Sequence, residues 1–285
     1  MTADHVDPGH RRSIGRSAAM ARIFTSTLRS KRTSLLAFAL GMAFFHALIA
    51  VSFPAIGGLD AVNSVVQTFP DGLRTLLRIA PGLQAGFGVQ DYLALSWFHP
   101  LFLGLGAAFV VNRAADALAQ GVERGAVYLT LSRPIRRSDL VLGKAGELLL
   151  SVGIITVAGW LGLALGVAFT LDVALPLGRY LLVAGMAWLL FGALGSGALV
   201  ISALCSRGGT AAGWGSAWTL IAFALDVIPA VANSPLGLLN PWHTYYPQEI
   251  VATGRVDPLG IAVLLGWVIG GLTTAAWAFG RRDLI

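Results

Sequence analysis

The chain has 285 residues, of which 56% are hydrophobic and only 12% charged. Soluble domains carry about 25% charged residues because they need a polar surface, so a chain at half that share keeps most of its surface out of water. A mean hydropathy of +0.74 excludes disordered, coiled-coil and disulfide-stapled classes, and the formal net charge of +6 is expected as a bias toward cytoplasmic loops, with no nucleic-acid partner.

Residues 1–16 are polar and are expected to form a disordered cytoplasmic tail, with residues 17–285 a single membrane domain. From Ser17 to Arg29, Met20, Ile23, Phe24 and Leu28 recur at helical spacing while Arg22, Ser26 and Arg29 face away. This predicts an amphipathic helix lying on the membrane lipids of the inner leaflet; the alternative is a helix packed on another subunit. No short apolar stretch of signal-peptide type precedes the first long apolar run, so that run is expected to act as its own targeting signal.

A bilayer core takes about 20 apolar residues. Six runs of that order are predicted to span it: Thr33 to Phe53, Tyr92 to Asn112, Ala145 to Thr170, Tyr180 to Leu204, Ala211 to Val231 and Leu259 to Gly280. Between the first two, Val62, Val65, Val66 and Phe69 share one helical face, and after Pro70 so do Leu73, Leu76, Leu77 and Ala80, which predicts two short interfacial helices. Before the last run, the aromatics of Asn240-Pro241-Trp242-His243-Thr244-Tyr245-Tyr246-Pro247 suit the headgroup level. Sixteen of the 20 Lys and Arg lie in the N-terminal segment, in alternate loops and in the tail. That asymmetry places both termini in the cytoplasm of a multi-pass plasma-membrane protein. Gly162 with Gly166, and Gly266 with Gly270, are candidates for close helix approach.

Catalytic chemistry finds no motif. Gly143-Lys144-Ala145 lacks the first glycine and the hydroxyl of a phosphate-binding loop, zinc-protease and nucleophile-elbow spacings are missing, and the five histidines are scattered. No catalytic residue, metal site or cofactor is expected in this chain, and it is not expected to be an enzyme. Two carboxylates and two histidines fall inside spans, where such groups are costly: Glu147, Asp226, His46 and His99. Glu147, three residues after Lys144, is expected to pair with a basic group or reach water, and Asp226 to accept a hydrogen bond near Pro229. A proton relay through either is the alternative. Both histidines are expected to make satisfied interhelical contacts.

Between the second and third spans, Glu123, Arg124, Gly125, Leu129, Leu131, Arg133, Pro134 and Arg136 form a charged, helical elbow that Pro134 ends, suited to a groove on a soluble partner. This stretch, continued by Arg137 and Gly143-Lys144, resembles the permease subunits of type-2 ATP-binding-cassette exporters. Ala126 stands where that family commonly has threonine. The resemblance extends to Phe69-Pro70-Asp71-Gly72-Leu73, to Asn240-Pro241-Trp242 and to the ending Phe279-Gly280-Arg281-Arg282-Asp283. It implies a bacterial inner-membrane permease paired with a second, identical or related copy. A separate cytoplasmic ATPase dimer, carrying ATP and Mg, would dock on the elbow as its coupling helix. The competing readings are a proton-coupled secondary transporter using Asp226 or Glu147, and a membrane enzyme, for which no polar cluster at one depth is present.

Overall fold

A computed structural model describes residues 16–76, 78, 88–132, 135–171 and 173–283; the expected tail lies outside them but for Arg16. Within these residues the protein is all-α, without a strand, and it is a membrane protein by the length and composition of its helices.

Helix α1 (Arg16–Ser30) leads into α2 (Arg32–Ala55), which contains the first predicted span. The apolar face of α1 is covered by the protein itself. Ala19, Ile23 and Thr27 are buried, and a Cβ on Gly143 would lie 2.9 Å from Ile23, so this face of the amphipathic helix packs on the third span. Arg22 and Arg29 remain exposed.

The two short helices are present as α3 (Gly58–Gln67) and α4 (Asp71–Leu76); Leu77 and Ala80 lie outside the described residues. The second span is not one helix. It is built from α5 (Val89–Leu95), a 3-10 turn over Ser96–Phe98, and α6 (Pro100–Ala117). Pro100 has no N–H to continue the ladder, and its ring excludes the preceding turn, so the helix restarts there. A count of apolar residues is blind to this break.

The elbow follows as α7 (Ala119–Glu123) and α8 (Ala126–Leu131), and the third span as α9 (Arg137–Thr170). Helix α9 starts eight residues before the apolar run at Ala145, because the charged residues before Ala145 are adequate helix formers that apolar counting discards. The fourth span is α10 (Leu177–Leu204), opened by Pro176. The fifth run, predicted to reach Val231, stops earlier: α11 (Gly208–Val227) ends before Pro229, which starts the four-residue α12 (Pro229–Ala232). The chain then forms α13 (Pro235–Leu238), a 3-10 turn over Pro241–Thr244, α14 (Pro247–Thr253) and α15 (Pro258–Arg281).

Among the described residues, five segments are long and apolar enough to cross a membrane: α2, the run from α5 through α7, α9, α10 and α15. Helix α11, with 20 residues, would extend about 30 Å at 1.5 Å per residue. It is not among these five. Helix α10 is the centre of the bundle and packs on α6, α9, α11 and α15, while α9 packs on α2 and α1. Gly162 and Gly166 of α9 lie against the backbone of Ala43 and Ala47, as their spacing predicts; Gly266 and Gly270 face open space and bring no helix close.

Candidate functional site

At one end of the bundle, α6 stops at Ala117 and the chain turns twice to form the elbow. Gly125 is the joint between α7 and α8, with a φ of +73° that a side chain rarely adopts. It is also the N-cap of α8 and, as a glycine, offers that helix no side-chain cap. Val127 is buried and Leu131 packs on the core, whereas Leu129 is 77% exposed and Tyr128 43%. Arg124 and Arg136 are exposed; Arg133 and Pro134 lie outside the described residues.

The Glu123 carboxylate is engaged within the chain. Its Oε2 accepts the N–H of Gly208 at 2.7 Å, satisfying an orphan donor at the start of α11 and opposing the positive end of that helix. The elbow is therefore fixed to the fifth long helix. Close by, Arg282 donates to the carbonyl of Cys205 at 2.6 Å, where α10 ends, and Arg137 donates to the Arg282 carbonyl.

Just inside this end lies a buried charge network that joins three helices. Arg113 on α6 donates to Glu147 Oε1 on α9 at 2.9 Å, Ser151 donates to the same oxygen at 2.8 Å, and Arg113 also reaches the Lys31 carbonyl at 3.3 Å. Lys31 in turn pairs with Asp116. Burial, assisted by the positive charges of Arg113 and Lys144, lowers the pKa of the Lys31 ammonium. A cleft of about 440 Å³ opens over Lys31, Ser34, Asn112, Arg113, Asp116 and Gln120. Glu147 thus has the basic partner expected for it, and that partner is Arg113 of another helix.

At the opposite end, Asp226 is paired rather than free. Its carboxylate accepts from Arg78, and its other oxygen lies 3.0 Å from His243 Nδ1. Arg78 also donates to the carbonyls of Tyr245 and, at 2.6 Å, Trp242. The 3-10 turn that carries Trp242 is pinned to α11 by Asn240 Nδ2 on the Ala222 carbonyl at 2.6 Å and by Trp242 Nε1 on the Thr219 carbonyl at 3.1 Å. These aromatics pack within the fold. Tyr245 is fully buried, which pushes its phenol pKa well up, and burial also raises that of Tyr246 against the opposing charge of Arg78.

Both histidines make the interhelical contacts expected of them through their rings, while the hydrogen bonds they make are local. His46 is buried among Phe45, Trp97 and Phe102, but its Nδ1 bonds the Met42 carbonyl of its own helix at 3.0 Å. His99 is the N-cap of α6 and accepts the Leu101 N–H at 3.1 Å, with its ring 5.3 Å from Phe45. The partners that sequence reading missed are Arg78, Arg113 and His243. In the sequence both arginines stand out only as members of the Lys and Arg distribution, and the one available signal is that each intramembrane acid needs a cation at its own depth.

The family model described as ABC-2 family transporter protein matches residues 16–284. No curated protein matches the chain. The chain belongs to the ABC-2 transporter membrane family, and its role is that of a multi-pass permease in transport that works with an ATP-binding-cassette component.

Proposed function

We propose that this ABC-2 family member is the permease of an ATP-driven exporter, with α8 as the helix through which a separate ATPase dimer, holding ATP and Mg, moves the bundle. Six helices cross the bacterial inner membrane, α11 among them, both termini are cytoplasmic, and a second permease copy completes the path. The observation that carries this reading is the exposed apolar knob of Leu129 and Tyr128 on a short helix braced by buried Val127 and by the Glu123 bond to Gly208. An apolar tip on a rigid elbow is what a soluble partner's groove grips, and the brace passes that grip to α11. The arginine partners of Glu147 and Asp226 give both acids a structural role and support this reading over a proton relay.

Leu129→Asp tests it. Because Leu129 is mostly exposed, the yield and monodispersity of the permease should stay at wild-type levels. Co-purification of the ATPase should fall by roughly 10- to 100-fold, the loss of about 1–3 kcal/mol typical of a central apolar contact. Undiminished association would sink the coupling role. Glu123 is a poor probe, since its removal uncaps α11 whether or not a partner binds. The topology has its own test. In intact cells an impermeant thiol reagent should label cysteines placed at Gly72 and Asn233 and spare one at Ser132; labelling at Ser132 from outside would reverse the orientation.

A further inference from the structure

Groups from three separate places in the chain surround one guanidinium at the loop end of the bundle. Asp226 at the end of α11 and the carbonyl oxygens of Trp242 and Tyr245 accept the N–H groups of Arg78. The rings of Phe98 and Tyr246 lie 4.7 and 4.3 Å from its Cζ. The walls are rigid: Phe98, Trp242 and Tyr245 are 4%, 3% and 0% exposed, and the Tyr245 hydroxyl donates to the Trp97 carbonyl at 3.1 Å. A carboxylate, two carbonyls and two aromatic faces form a cage for a cation whose charge is spread over nitrogen or alkyl groups. Aromatic walls carry no lone-pair ligands of the kind that hold a divalent metal ion.

The occupant comes from outside these walls. Arg78 follows the six-residue α4 and is the one non-glycine residue with positive φ among the described residues, at +54°. From Gly57 to Arg74 the described side chains are half-buried or exposed, so packing of that segment does not place Arg78; the cage does. Asp226 supplies one negative charge, His243 shares it, and Glu249 contributes a further negative charge near Tyr246. Without Arg78, the cage holds a carboxylate whose remaining side-chain partner is His243, between two π faces.

We infer that this cage is a binding site for a monovalent organic cation, a guanidinium or ammonium group, and that Arg78 fills it as a built-in guest which such a ligand displaces. The inference rests on the transport reading only in making such a cation the substrate class.

Binding is tested on the purified full-length permease without its ATPase. Titration of Arg78→Ala with methylguanidinium chloride, against matched sodium chloride, should raise the thermal midpoint saturably in the millimolar range. Wild type should respond at least about tenfold more weakly, because its own guanidinium competes. Arg78→Ala/Asp226→Asn should not respond, and Tyr246→Ala on the Arg78→Ala background should bind roughly tenfold more weakly. A folded Arg78→Ala that responds no better than wild type or the double variant overturns the proposal. Should Arg78→Ala fold only when methylguanidinium is present during purification, the cage is supported; failure to fold with or without it overturns the cage. Loss of ATPase association in the Leu129 experiment leaves this result untouched, and absence of cation binding leaves the coupling role intact.

Discussion

Glu147→Leu should destabilise the folded permease by about 3–5 kcal/mol, because it strands the Arg113 guanidinium in a buried site. Both side chains are about 95% buried, at 6% and 4% exposure, and the remaining contacts of Arg113 are the Lys31 carbonyl and the ring of Phe109 at 5.0 Å. Neither of these carries a full negative charge. Monodisperse yield and the thermal midpoint in detergent should both fall sharply. Arg113→Met combined with Glu147→Leu should recover most of the loss, since removing both charges removes the cost of burying either. A Glu147→Leu protein as stable as wild type would mean that the pair does not hold the elbow end together.

The second large effect is expected at the α2 and α9 contact. A Cβ on Gly162 would lie 2.0 Å from the Ala43 carbonyl oxygen and 2.5 Å from its Cα, and backbone atoms cannot rotate away as a side chain can. Gly162→Ala must therefore push the two helices apart along a packed face, at a cost of about 3 kcal/mol. Gly266→Ala, on a helix face with nothing within 4 Å, should leave the thermal midpoint unchanged or raise it slightly, as alanine is the better helix former. Equal behaviour of the two variants would show that α2 and α9 do not approach as closely as described.

The distinction between those glycines marks how far sequence reading reaches. Both pairs have the same spacing, and spacing fixes only that two small residues share a face. Which face meets another helix depends on the rotation of α9 and α15 in the bundle, a long-range property. The same holds for the elbow. Its existence and helical character follow from local composition, but its division at Gly125 into two short helices is seen only in the structure, and the Glu123 cap on Gly208 joins residues 85 positions apart with no local pattern to announce it.

By itself the sequence determined what depends on the solvent and on neighbouring residues. Long uncharged runs must bury their backbone polar groups as helices in a membrane, short amphipathic stretches must lie where two environments meet, and the lopsided Lys and Arg content predicts an orientation. Tertiary structure decided what depends on pairing at a distance. The helix boundaries at Pro100 and Pro229 are instead local in origin and passed over only by counting apolar residues, because one missing N–H outweighs the apolar character of its neighbours. Glu147 and Asp226 are paired because the fold brings Arg113 and Arg78 to them, from 34 and 148 residues away. An ionisable group in a low-dielectric interior requires an opposite charge, but only the packed bundle determines which charge arrives.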